Sequence, residues 1–187
     1  MKSEIAFKLA KTDKVIHGYN RYYDEIFNNF TPNSLLEIGV KEGNSLAAWK
    51  LMFPDCQLFG IDITNRNFNN KLISFSEAKI TIADSTKLKP TQKYDIIIDD
   101  GSHYYKDILR TFRTFHKNFN YYYVIEDYFY DIDMIKKFLN KNGYNKVSIF
   151  PSNLIKNFTV EKHILIKDTV KTKKTIKVDG HMIVIEL

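Results

Sequence analysis

Apolar and polar positions along this chain follow two rhythms. Tyr19, Tyr22, Tyr23, Ile26, Phe27 and Phe30 recur at three- and four-residue spacing. That spacing predicts an amphipathic helix over about residues 17–29, ended near Pro32 and Asn33. Apolar runs then alternate with helical ones: SLLEIG, NSLAAWKLMF, QLFGIDI, a short helix near Asn69 to Ser74, KITIAD, YDIIIDDG, YYKDILRTFRTFHKNF, YYYVIEDY and DIDMIKKFLNKNG. Nearly continuous apolar strands alternating with helices indicate a parallel sheet covered on both faces. Asp131 reads as the N-cap of the last helix and Gly143 as the glycine just past its end. After Gly143 the pattern changes. KVSIF, HILIK, TIKV and HMIVIEL read as strands, with Asp179-Gly180 as a two-residue hairpin turn between the last two.

The expected fold is therefore α/β: a Rossmann-like, doubly wound, seven-stranded and mostly parallel sheet whose last strand is antiparallel. One domain is expected over residues 1–187. Residues 1–30 form an N-terminal lid and helix, 31–150 the core, and 151–187 the C-terminal strands, with an insertion from Asn153 to Lys174.

Composition narrows the class. The chain has 187 residues, 44% of them hydrophobic, enough for one sizeable core. No apolar run approaches the roughly 18 residues of a membrane span, and charges interrupt every apolar stretch of the N-terminus, unlike a secretory signal. A single cysteine, Cys56, excludes an internal disulfide and fits a reducing, cytoplasmic setting; following Pro54-Asp55, it reads as a semi-buried thiol. Net charge is +6, yet arginine supplies only four of the 28 basic residues. Phosphate and base recognition usually draws on arginine. The lysines are spread along the chain, with one cluster at Lys171, Lys173 and Lys174, and read as a solvated surface. A nucleic-acid partner is disfavoured and a homo-oligomer is left open.

Candidate chemistry falls at the strand ends. Glu37-Ile38-Gly39-Val40-Lys41-Glu42-Gly43 joins the first strand to its helix. The two glycines permit a tight turn and close approach of a ligand to the backbone. The spacing is not the Gly-x-Gly-x-x-Gly that presses a pyrophosphate on a helix N-terminus, which disfavours an NAD-dependent dehydrogenase. Glu37 instead suits a cationic ligand such as the amino and sulfonium side of S-adenosylmethionine (SAM). Asp62 ends the second strand, 25 residues after Glu37, where a carboxylate can take ribose hydroxyls. Asp84 and Ser85 end the third, placed for an adenine amino group; Asp99 joins this cofactor set. Asp100, Glu126 and Asp127 follow two strands that are neighbours in the usual doubly wound order. Three carboxylates converging there call for a cation, and hard oxygen ligands point to Mg²⁺. His103, three residues beyond Asp100, stands beside that ion as a base, which predicts activity rising as the imidazole loses its proton near its usual pKa of about 6.5.

These residues carry a family resemblance. Asp99-Asp100-Gly101-Ser102-His103, the Glu126-Asp127 pair, and upstream Thr12-Asp13-Lys14 with His17-Gly18-Tyr19 resemble the metal-dependent sugar O-methyltransferases that modify macrolide antibiotics. The similarity runs from about Thr12 to Tyr128, and Asp-Asp-Gly-Ser-His is its most specific block. The resemblance implies Asp100, Glu126 and Asp127 as Mg²⁺ ligands and His103 as base. Thr12, Asp13, Lys14, His17 and Tyr19 are expected to fold over the pocket as a lid, with Tyr104 on the acceptor side. The expected activity is methyl transfer from SAM to a hydroxyl of a sugar, whether glycan, glycoside or nucleotide-sugar. Two other readings are an RNA or polyanion methyltransferase, suggested by the basic charge, and a non-catalytic nucleoside-binding module. The C-terminal third carries no part of the resemblance.

Overall fold

The computed structural model describes residues 1–64, 77–164 and 170–187, with the backbone alone over 154–164 and 170–178. Among these residues β1 (Ser34–Ile38), β2 (Gln57–Asp62), β3 (Ala78–Ile82), β4 (Tyr94–Asp99), β5 (Phe119–Tyr128), β6 (Val147–Ile164) and β7 (Val170–Glu186) form one sheet. Its order is β3-β2-β1-β4-β5-β7-β6. The first five strands pair in parallel, and β7 lies antiparallel between β5 and β6. The order reverses between β1 and β4, so the loops after both strands flank a crevice at the sheet's carboxyl edge, where open α/β sheets bind ligands.

Strand alternation builds two cores. Leu35, Ile96, Ile98, Val124 and Val184 point to one face. Leu36, Ile97, Tyr123, Ile125, Ile183 and Ile185 point to the other. Consecutive side chains leave on opposite sides of a strand, so a sheet covered twice needs the continuous apolar runs seen in the sequence. Helices α1 (Ser3–Ala10), α2 (Asn20–Ile26) and α3 (Asn44–Met52) cover the first face, through Phe7, Tyr23 and Trp49. Helices α4 (Tyr105–Phe115) and α5 (Ile132–Lys141) cover the second, through Phe112, Phe115, Ile135 and Leu139. Asp131 caps α5, accepting the Asp133 N–H at 2.8 Å, and Gly143 follows it at φ +87°. Cys56 is buried.

Two sequence readings change, and the N-terminus adds a helix that the apolar pattern did not predict. Ser3, Ala6, Phe7 and Ala10 make the buried face of α1, while Glu4 and Lys8 pair at 2.5 Å in solvent. The Asp179-Gly180 hairpin does not form. KVSIF and HILIK belong to one long strand, β6, and TIKV and HMIVIEL to another, β7, which continues through Asp179 opposite Ile155. Gly180 serves close packing rather than a turn, since a Cβ there would meet Phe129 Cε1 at 2.8 Å. The pairing of β5 with β7 ends at Tyr128↔His181, while β6 and β7 stay paired from Ile155↔Asp179 to Ile164↔Val170. The described part of the expected insertion is thus a two-stranded arm leaving the sheet at its carboxyl edge. The helix expected near Asn69 to Ser74 lies outside the described residues.

Candidate active site

Backbone geometry brings the loops after β1 and β4 together first. Gly39 sits at φ +94°, and a Cβ on it would stand 2.1 Å from the Asp100 carbonyl oxygen. The Asp100 N–H donates to the Ile38 carbonyl at 2.9 Å, and the Gly39 N–H to that of Ile61 at 2.8 Å. Gly39 is therefore required by its own protein's chain before any ligand arrives. Gly43, at φ +85°, is the N-cap of α3.

A cavity of about 340 Å³ opens between these loops, and its walls include Gly39, Asp62, Asp84, Ser85, Asp99 and Asp100. Such a volume falls within the small-molecule range. A smaller hollow of about 120 Å³ shares Gly39, Lys41 and Asp100 with it and reaches Thr12 and Ser45. Asp62 is shaped by its loop: Oδ2 accepts the Lys41 N–H and Oδ1 the Thr64 N–H, both at 2.9 Å. Asp84 turns onto Thr86 and Lys87, whose hydrogen bonds hold its carboxyl down at about 2. Ser85 Oγ meets Thr111 Oγ1 at 3.1 Å. Burial pushes the Asp99 carboxyl up to about 7. Of the expected cofactor residues, Glu37 and Gly43 line neither hollow. Glu37 lies wholly buried on β1, its carboxyl raised to about 7 by burial, against the opposing pull of Lys14.

The acid cluster begins where this cavity ends. Between Ile125↔Ile183 and Tyr128↔His181 the β5–β7 register shifts, and Asp127 takes a left-handed backbone at φ +53°. In a regular strand Glu126 and Asp127 would face opposite sides of the sheet. The bulge lets both reach the N-terminal segment. Glu126 accepts from Lys14 Nζ at 2.5 Å on one oxygen and from the Tyr23 hydroxyl on the other. Asp127 Oδ1 accepts the Tyr19 hydroxyl at 2.7 Å and lies 3.3 Å from His17 Nδ1; the Asp127 N–H donates back to Tyr19 Oη at 3.1 Å. Burial alone would raise the Asp127 carboxyl, yet the nearby His17 and His103 imidazoles and the hydrogen bond from Tyr19 hold it at about 2.

Asp100 divides its oxygens in the same way. Oδ2 accepts from Lys14 Nζ at 3.0 Å, while Oδ1 lies 3.7 Å from His103 Nε2. Nε2 is in turn 4.0 Å from Asp127 Oδ2. One atom each from Asp100, His103 and Asp127 thus falls within a mutual 4.8 Å. Octahedral Mg²⁺ at 2.0–2.1 Å puts opposite ligands about 4.2 Å apart, so the Asp100 and Asp127 oxygens could take opposite positions on such an ion after closing by about half an ångström, with His103 beside them. Two hard oxygens, each with its partner oxygen already held by the protein, fit such an ion. His103 also has a left-handed backbone, φ +57°. Strain of that kind is characteristic of functional positions.

The structure therefore gathers Asp100, His103 and Asp127 and gives Glu126 to Lys14 and Tyr23. The N-terminal residues form a packed wall. Thr12 and Lys14 are buried, and Thr12 Oγ1 meets Ser45 Oγ at 3.0 Å at the start of α3. Asp13 is exposed, 3.9 Å from His17, and Tyr104 stands out in solvent at 69% exposure. Tyr23 was not singled out from the sequence. Its place four residues after Tyr19, on the same helical face, was the available signal.

A reversed-order parallel sheet ending in an antiparallel strand, with a carboxyl-edge cavity bounded by strand-end acids, is the arrangement of the class I methyltransferase fold. Within that class the chain is similar to macrolide sugar O-methyltransferases. It is 30% identical over 129 residues, 60% of its length, to the mycinamicin VI 2''-O-methyltransferase of Micromonospora griseorubida. It is 29% identical over 128 residues to the L-olivosyl-oleandolide 3-O-methyltransferase of Streptomyces antibioticus. The matched region spans about a third of these relatives, 32% and 33%. The MycE methyltransferase of mycinamycin biosynthesis, solved with Mg and SAH, superposes with a TM-score of 0.58 at 26% identity, covering 68% of this chain and 36% of that one. No protein-family model matches. Among the described residues no helix is long and apolar enough to cross a membrane.

Proposed function

We propose that the chain is a SAM-dependent, Mg²⁺-assisted O-methyltransferase whose acceptor is a sugar hydroxyl. One observation carries this reading: Asp100 belongs both to the wall of the cofactor-sized cavity and, with Asp127, to a pair of carboxylates that could hold a divalent ion beside the His103 base. Donor and acceptor sites that share a residue are close enough for direct group transfer. Similarity to macrolide sugar methyltransferases supports the sugar acceptor.

When bound, SAM supplies the methyl group and Mg²⁺ the Lewis acidity that lowers a hydroxyl's pKa and fixes its direction. Asp62 keeps a lone pair for ribose hydroxyls beyond the two loop N–H groups and the Thr64 hydroxyl it accepts, and Asp84, Ser85 and Asp99 line the rest of the cavity. Asp100 Oδ1 and Asp127 Oδ2 would hold the ion. His103 Nε2, facing both oxygens, takes the proton of a hydroxyl seated among them. His17 and Tyr19 keep Asp127 ionised, so its second oxygen is ready for a metal at neutral pH.

Turnover of SAM against a panel of deoxysugar glycosides and nucleotide-sugars, with and without EDTA, tests the reading. Methylation of a sugar hydroxyl that EDTA abolishes and Mg²⁺ restores is expected. His103→Ala should leave metal-dependent turnover about 10²–10⁴-fold lower, the range for loss of a general base. Full activity in EDTA would return the acids to a structural role.

A further inference from the structure

Lys14 is the least ordinary residue in the site. Its side chain is wholly buried, and its ammonium lies 2.5 Å from Glu126 Oε2, 3.0 Å from Asp100 Oδ2 and 3.7 Å from Glu37 Oε1. An ammonium has three protons to donate, and here three carboxylates surround it. Glu37 is buried, and neither of its oxygens completes a hydrogen bond to a described residue, although Trp49 and Ser45 stand close enough to favour its charged form. Its carboxyl therefore faces Lys14, whose ammonium opposes the upward push of burial. Asp100 bridges, with Oδ2 turned to Lys14 and Oδ1 to His103. The acidic cluster accordingly has two adjoining cation positions. One is bounded by Asp100, His103 and Asp127, the other by Glu37, Asp100 and Glu126.

We propose that the Lys14 ammonium is a built-in cation occupying the second position, so that the cluster takes one divalent ion instead of two and Asp100 is held with a single oxygen facing it. Lys14 is then a positioning residue. It touches neither donor nor acceptor and acts through Asp100 and Glu126. The surrounding chain is built to hold it there. Its carbonyl accepts the Tyr19 N–H at 2.9 Å, Thr12 is pinned to Ser45, and the His17 carbonyl accepts the Asn153 N–H at 2.9 Å from β6. A segment fixed from both sides delivers the ammonium to one place. With the charge removed, Glu37 and Glu126 would present unneutralised oxygens beside Asp100, a hard-donor niche suited to a small divalent cation.

The inference rests on the reading of the first position as a divalent-ion site, and the test separates the two. Mn²⁺ alone is titrated into the wild type and into Lys14→Ala, with free aquo-Mn²⁺ followed by EPR. One equivalent is expected to bind to the wild type and two to Lys14→Ala. n-Propylammonium, which replaces the atoms that the alanine lacks, should return the variant to one. A single equivalent in Lys14→Ala at wild-type affinity, unaffected by the amine, would overturn the assignment. If the wild type binds no Mn²⁺, the divalent-ion reading fails; one amine-displaceable equivalent in Lys14→Ala would still uphold Lys14 as an occupying cation. Should Lys14→Ala fail to fold, far-UV circular dichroism during refolding decides. Recovery with Mn²⁺ or n-propylammonium supports the proposal, and no recovery with either overturns it.

Discussion

At the scale of single residues, the site sets carboxyls of opposite bias side by side, and the bias predicts how stability depends on pH. Asp127 is held at about 2, below its ordinary 3.8, because the folded chain gives its charged form donors. Its contribution is full above about pH 4 and is lost as pH falls through about 2, on the order of 2 kcal/mol for a shift of that size. Glu37 and Asp99 are raised by burial to about 7. Their contribution is full below their ordinary values and is lost as pH rises through about 7. Metal-free protein should therefore be most stable near pH 4–5. Urea midpoints from pH 2 to 9 in EDTA would show it, and Asp99→Asn should flatten the neutral limb. A midpoint rising steadily through pH 7 would contradict these assignments. Among the strand-end acids, Asp62, Asp84, Asp99 and Asp100 were legible in the sequence because an acid after a parallel strand has nowhere to go but the carboxyl edge. The division of labour between Glu126 and Asp127 was not legible, because it depends on a bulge whose register belongs to β7, more than fifty residues away.

At the scale of elements, the N-terminal segment shows how a pattern can be read and its role missed. Polar residues ahead of an amphipathic helix suggest a lid. The structure instead shows α1 packed on α3, with Phe7 fully buried edge-on against Trp49 at 5.2 Å and Tyr23 at 5.9 Å. Eight residues bracketed by charges gave too short a window for periodicity to stand out. Residues that close over a pocket and reopen must be weakly held, whereas these carry core contacts. Phe7→Ala should cost about 3–5 kcal/mol, the usual range for a buried phenylalanine, as chemical denaturation would measure. A loss below about 1 kcal/mol would restore the lid. The terminal strands failed differently. Asp179-Gly180 is a sound hairpin signal locally, yet β6 opposite it and the ring of Phe129 settled the matter through tertiary packing.

At the scale of the whole molecule, the chain's basic character resides almost entirely in one place. Residues 154–178 hold seven lysines against Glu161 and Asp168, nearly all of the net +6. The parallel core, by contrast, is close to neutral and was legible almost throughout, since alternating apolar strands and helices admit few other folds. The left-handed backbones at His103 and Asp127 bear on the whole molecule too. Each non-glycine residue in that region costs roughly 1–2 kcal/mol, and the fold carries the cost to aim two side chains at one point. His103→Gly should therefore raise the thermal midpoint, or at least not lower it, while removing the proposed base. A lower midpoint would show that the imidazole's packing outweighs the strain. Directed evolution for heat resistance alone would then drift toward glycine at position 103, enriching sturdier proteins with less chemistry. A library built from this scaffold needs a turnover selection at every round.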